Sequence, residues 1–330
     1  MQTINTVTGS IPAEALGRTL MHEHVMIGFP GWHFDNRIPA FQRADAMARV
    51  VDAFQALHGH GVRSVVDPCP MDLGRDVEFC AEVSQRSGIA LICATGVYTE
   101  AMGIPYTFRW MEEEAVAEVF VKEIEDGIAR SGIRAGVIKI ATGKDHVSDY
   151  ERKMLRAAAR ASLATGIPVL SHTEDCSCGH DQIDIVSGEG VAPEQLLVGH
   201  CDGRDDHAYQ RSLAERGVYV GFDRFGIETK VSDETRIRNL VQMLDAGHRD
   251  RLIVSHDTAT CFLGFVPGLG DPAKLKAIYP NHRLTRLFED IFPQLRALGV
   301  SQDDLDRIVI DNPRAFFTGE RIAASTGEPR

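Results

Sequence analysis

The chain has 330 residues, 44% of them hydrophobic and 25% charged, with a formal net charge of -12. This is the composition of a globular protein: no window reaches the roughly 20 apolar residues of a membrane span. The negative charge opposes binding to a nucleic-acid backbone or an anionic membrane, so neither partner is expected, and a small neutral substrate suits the chain better.

The first stretch, MQTINTVTGS, lacks the basic start and continuous apolar core of a secretory signal, which leads us to expect a cytoplasmic protein. Beyond it, short β-rich runs recur at 18–22, 63–67 (RSVVD), 90–95 (ALICAT), 136–140 (GVIKI), 167–171 (IPVLS), 195–199 (QLLVG), 217–222 (GVYVGF) and 251–255 (RLIVS). They are apolar rather than alternating, as expected of parallel strands covered on both faces. Amphipathic stretches separate them: Met47, Val50, Phe54 and Leu57 share one helix face, as do Ile237, Leu240, Val241 and Leu244. Ser232, followed by Asp233 and Glu234, is the expected N-cap of the second of these helices. Eight strands alternating with helices, without a linker or a break in composition, predict a single domain over 1–330 with an α/β fold, the (β/α)8 or TIM barrel. A doubly wound sheet is the competing arrangement, although no G-x-G-x-x-G follows the first strand. Seven cysteines, an odd number, make no disulfide framework, and reduced thiols are expected.

In such a barrel, chemistry gathers at the C-terminal ends of the strands. The first run ends in His22 and His24, the fourth carries Lys139, the fifth leads to His172, the sixth to His200, and the eighth to His256 and Asp257. Residues i and i+2 of a strand point to the same side, so His22 and His24 can chelate one ion, with Glu23 turned to the opposite face in a structural role. An H-x-H pair taken alone is equally an ordinary hydrogen-bonded pair. Four imidazoles and a carboxylate on one rim suit divalent zinc, manganese, cobalt or iron. Lys139, among apolar neighbours, either pairs with an acid or has a lowered pKa and a reactive amine.

The ordered set MHEH, VIKIA, VLSHTE, LVGHCD and IVSHD, with flanks from VTGSIPAEALGRTLMHEH to DNPRAFF, resembles the phosphotriesterase-like branch of the amidohydrolase superfamily. The resemblance implies a binuclear centre. His22, His24 and Asp257 would hold one ion and His172 and His200 the other. Lys139, carboxylated by carbon dioxide, would bridge them together with a hydroxide. Zinc is the first expectation for both ions. Hydroxide attack on a carbonyl or phosphoryl centre is the implied chemistry, with Asp257 receiving the proton. Tyr98 in ATGVYTE, Arg224 in GFDRFG, and PYTF at 105–108 look like the lactonase members of that branch. Tyr98 and Arg224 are therefore expected to be catalytic, the phenol as a hydrogen-bond donor and the guanidinium orienting a polar substrate. The bland alternatives are a core tyrosine and an Arg224–Asp223 pair. A lactonase acting on acyl-homoserine or other aliphatic lactones, and thus suited to quorum quenching, is the implied function. A phosphotriesterase or other carboxylester hydrolase is the rival, and a non-catalytic barrel the remote one. Relatives are often homodimers.

Two stretches remain. The segment 258–281 reads as a long loop whose Phe262, Leu263, Phe265, Val266 and Leu269 line an acyl channel, pack a short helix or meet a second subunit. Cys176, Cys178 and His180 lack a fourth ligand for a soft-metal site, and a flexible exposed loop is the default expectation there.

Overall fold

The computed structural model describes residues 2–320 except 39, 267, 269, 272 and 273. An antiparallel hairpin, β1 (Thr3–Thr6) with β2 (Gly9–Pro12), opens the chain. Next come β3 (Arg18–Leu20), β4 (His24–Gly28), β5 (Val62–Asp67), β6 (Ala90–Gly96) and β7 (Val137–Thr142). The rest are β8 (Val169–Thr173), β9 (Leu196–Val198), β10 (Tyr219–Phe222), β11 (Leu252–Val254) and β12 (Ala259–Leu263). Strand β3 and strands β5 to β11 form one 8-stranded sheet in which neighbours in space are neighbours in the chain, and every pair is parallel. All the predicted runs fall on these strands. A doubly wound sheet reverses its strand order at a switch point, and this sheet does not.

Helices cover the outside: α1 (Arg43–Gly59), α2 (Val77–Ser87), α3 (Tyr106–Trp110), α4 (Glu113–Glu125), α5 (Asp149–Thr165), α6 (Gly179–Gly188), α7 (His207–Glu215) and α8 (Asp233–Asp245). The predicted faces of α1 and α8 point inward, with Val241 only half-buried, and Ser232 Oγ caps α8 by accepting from the Thr235 amide at 3.2 Å. Burying those stripes against the sheet is what makes these helices stable in this protein. Inside the sheet, Met21, Val66, Ile92, Val137, Leu170, Leu197, Tyr219 and Ile253 form a separate buried cluster. Ile4, Ala13, Leu16, Phe316 and Phe317, from the two chain ends, belong to it as well. This filled interior makes the barrel a solid platform, not a pore.

Two expectations need correction. The first run does not continue as one strand through His24: β3 stops at Leu20, and β4 resumes at His24 and leaves the barrel sheet to pair in parallel with β12. The cause lies across the barrel seam, where His22 N donates to Ser255 Oγ at 2.9 Å, Asp257 N to the His22 carbonyl at 3.1 Å and His24 N to the Thr258 carbonyl at 2.8 Å. Among the described residues these bonds join the first and last strands where no regular ladder does. The segment 258–281 is likewise not a plain loop, because β12 lies within it and a short helix follows at Leu275–Ile278. The amino-terminal hairpin was not foreseen, its alternation being too short to register.

Candidate metal centre

Strand alternation delivers Lys139 and His172 to the rim, one step beyond the inward-facing Val137 and Leu170 on the same strands. Gly96 lets β6 close against β7 there, since a Cβ at its φ of 109° would fall 1.8 Å from the Lys139 carbonyl oxygen. His200 and Asp257 lie just past β9 and β11, both in the left-handed region with φ of 62° and 55°. The Lys139 amine is 3.3 Å from His22 Nε2, and Asp257 Oδ1 is 3.6 Å from His22 Nε2 and 3.4 Å from His24 Nε2. The His200 ring stands 4.6 Å from that of His22 and 4.5 Å from that of His172. All six expected ligand residues therefore converge on one point, and His22, His200 and Asp257 each offer a ligand atom within 4.8 Å of the others.

The imidazoles share a pattern that suits cation binding. Asp223 accepts from His200 Nδ1 at 2.8 Å and has its other oxygen 3.1 Å from His22 Nδ1. Asp67 stands 3.4 Å from His24 Nδ1. His22 and His24 keep Nε2 for the centre while a buried carboxylate backs Nδ1, and Asp223 backs Nδ1 of His200 as well, the arrangement that fixes tautomer and orientation in metal-ligating histidines. Asp223 and Asp67 were missed by sequence reasoning. Asp223 was considered only as a partner for Arg224, and a buried acid next to a strand end is the signal that was available. Glu174 has Oε2 3.1 Å from His172 Nε2.

Charge states follow from burial and neighbours. Burial pushes the Lys139 amine down to about 8, so that about a tenth of it is neutral and nucleophilic at pH 7. Burial likewise pushes His172 down to about 4, and burial together with Arg224 holds His200 well below the usual imidazole value. His24 goes the other way: burial opposes its charge, but Asp257 and Asp67 override this and raise it well above the ordinary value. Asp257 also overcomes burial, held well below the carboxylate range by His200, His24, His22 and Arg224. Neutral imidazoles at His22, His172 and His200, a His24 ring that must give up its proton to a metal, one anionic carboxylate and a buried amine make a donor set that fits divalent cations.

Tyr98 Oη lies 3.4 Å from His172 Nδ1, with the two rings 4.9 Å apart. Its backbone amide donates to Asp72 at 3.0 Å. Arg224 does not pair with Asp223. Its Nε donates to Asp257 Oδ2 at 3.2 Å, because both Asp223 oxygens face histidines. Above the centre is a cavity of about 510 Å³, lined at its base by His22, His24, Tyr98, Lys139, His172, His200 and Asp257, and along its wall by Ile27, Phe29, Leu73, Ile227, Phe262 and Val266. Phe262 and Val266 thus reach the wall, the first of the three alternatives for this segment, whereas Leu263 is buried in the core and Phe265 lies under the Arg37 guanidinium, 5.8 Å from it. Leu269 is outside the described residues.

The cysteine-rich segment is not the exposed loop expected. Cys176 is fully buried with its thiol on the Cys201 carbonyl at 3.0 Å, and His180 faces Ser212 at 2.9 Å. All seven cysteines are free thiols. Among the described residues no helix is long and apolar enough to cross a membrane.

Comparison with known proteins agrees with this geometry. The model of the phosphotriesterase family matches residues 2–317. A phosphotriesterase homology protein of Mycobacterium tuberculosis is 32% identical over 333 residues, covering 96% of this chain and 98% of the relative. An aryldialkylphosphatase of Saccharolobus solfataricus is 30% identical over 315 residues, covering 94% and 97%. Among solved structures, a variant of a PTE-like lactonase from Deinococcus radiodurans superposes with a TM-score of 0.90 at 36% identity, covering 96% of this chain and 100% of that one. A barrel carrying this donor set, matched over nearly its whole length, makes the chain a metal-dependent hydrolase acting on small-molecule esters and a member of the phosphotriesterase family.

Proposed function

We propose that the protein is a single-domain binuclear lactonase. The observation that carries this reading is the apolar wall of Ile27, Phe29, Leu73, Phe262 and Val266 over the polar base of the cavity, where the Tyr98 hydroxyl lies beside His172. An alkyl or acyl chain can bury against that wall while its lactone carbonyl reaches the base, at about 25 cal/mol for each Å² of apolar surface removed from water. The lactonase from Deinococcus radiodurans supports the same choice by its likeness over the whole chain.

His22, His24 and Asp257 would hold one cation, His172 and His200 the other, and Lys139 would bridge them as a carbamate. That carbamate forms when the neutral amine adds to carbon dioxide, making an N–C bond and releasing a proton. When bound, the two cations supply an acidified water and polarise the substrate oxygen. Asp257 accepts the proton from the attacking water and returns it to the leaving alkoxide. Tyr98 donates a hydrogen bond to the oxygen on which charge develops, its phenol kept protonated first by burial and then by the charge on Asp257. Arg224, hydrogen-bonded to Asp257, adds to the effect of His200, His24 and His22 in keeping that carboxylate ionised and offers its remaining N–H groups to a polar substrate.

Parallel assays with an acyl-homoserine lactone, a simple aliphatic lactone and an aryl phosphotriester test the reading. Lactones are expected to give the higher kcat/KM. A phosphotriester preferred by orders of magnitude would favour the activity named in the Saccharolobus relative and overturn it.

A further inference from the structure

We propose that Glu23 is a positioning residue: its carboxylate crosses the barrel seam, clamps the amides on both sides of Asp257, and sets the backbone conformation from which Asp257 faces His22 and His24. Glu23 is completely buried. Its Oε1 accepts from His256 N at 2.8 Å and from His256 Nδ1 at 2.6 Å, and its Oε2 accepts from Thr258 N at 3.0 Å. The Asp257 amide itself donates to the His22 carbonyl at 3.1 Å. Residues 22 and 23 therefore hold three consecutive amides, and the middle residue is Asp257, in the left-handed region at φ 55°. A non-glycine residue stays there only when its surroundings impose it.

His256 extends the clamp. Its Nδ1 serves Glu23, its Nε2 accepts from Leu287 N at 3.0 Å, and its carbonyl faces His282 Nε2 at 2.9 Å. Fully buried, outside the cavity lining and bonded through both ring nitrogens, this histidine beside Asp257 is a strut, not a ligand. A Gln at position 23 keeps the shape but turns an N–H toward one of the amides or toward the imidazole N–H. The clamp then loses bonds and meets donor against donor. Freed of it, Asp257 can relax to a common backbone conformation and swing away from the two histidines. Among the described residues no hydrogen bond joins Glu23 to Lys139, His172 or His200.

The proposal rests on Asp257 belonging to the metal centre, and the test separates the two ideas. Metal-free full-length protein is titrated with Zn2+ against a chromophoric chelator for the native chain, Glu23→Gln, Asp257→Asn and Asn312→Ala. The last variant removes bonds at 2.7 Å to the Leu252 and Arg249 carbonyls, loosening the far end of β11 without touching 256–258. Glu23→Gln is expected to weaken one of the two ions about tenfold or more, leaving the other and the far-UV spectrum unchanged. Asp257→Asn should weaken the same ion. Native-like affinity for both ions in Glu23→Gln, with Asp257→Asn impaired, overturns the clamp alone. Equal weakening in Asn312→Ala at a matched loss of Tm also overturns it, because general seam instability would then suffice. Native-like binding in Asp257→Asn overturns the metal-centre reading itself. Should Glu23→Gln not stay soluble, Glu23→Asp replaces it; it keeps the charge but is one methylene too short for both amides, and the same selective weakening is expected.

Discussion

The two halves of the candidate centre are held by different physics. Lys139 and His172 stand on β7 and β8, strands laddered on both sides, so the sheet itself sets where they point. His22, His24 and Asp257 stand at the seam, in a strand break and a left-handed turn, where single hydrogen bonds and buried carboxylates replace the ladder. A ladder spreads the orienting force over many backbone bonds, so losing one bond moves a ligand little. At the seam each ligand depends on a few named partners, and each partner is worth correspondingly more.

Substitutions probe this contrast in order of expected effect. Lys139→Ala removes the group that touches both halves, the amine lying against His22 while growing from the laddered sheet. It is expected to lower kcat/KM for the best lactone by about 10³-fold, roughly 4 kcal/mol, and to weaken both ions in metal analysis. Asp223→Ala takes the backing from His200 and His22 together. Both ions should bind about 10 to 100-fold more weakly, whereas loss of only one would show that Asp223 serves one half.

Falling pH should separate the halves without mutation. His24 has a raised pKa, so its proton competes with the seam cation already near neutrality, and affinity there declines as pH falls. His172, held to about 4, stays neutral until far lower pH. Any protonation of Lys139 bears on both ions alike. Metal content followed through acid dialysis should thus show the seam ion leaving first, and simultaneous loss would contradict the contrast. The smallest effect is expected from Tyr98→Phe. This change deletes a hydroxyl 3.4 Å from His172 and should lower kcat about three- to tenfold, roughly 1 kcal/mol, with KM little changed.

Much of the barrel is legible in the amino-acid sequence. Parallel strands covered on both faces must be apolar throughout, so runs such as GVIKI and ALICAT announce themselves, and a lysine inside one of them stands out. The rim residues were legible for the same reason, being polar groups at the ends of apolar runs. The break at Met21–Glu23 was not legible, because an H-x-H after an apolar run looks like a continuing strand. Only Ser255, Asp257 and Thr258, far along the chain, redirect its backbone bonds. Asp223 and Asp67 escaped for a related reason: nothing local tells an acid that backs a histidine from one that faces solvent. Arg224 was seen, but its partner was not, since the choice between Asp223 and Asp257 depends on which carboxylate the histidines have already taken.

By itself, then, the amino-acid sequence determined the βα rhythm, the strand positions and the residue types offered at each strand end, all of which arise from local periodicity and burial. The tertiary structure alone decided how the barrel closes, which ring nitrogen of His22 and His24 faces the centre, and that Glu23 is turned across the seam. Those outcomes belong to buried polar groups that must find partners from distant parts of the chain, and which partner each one finds is settled only when the first and last strands meet.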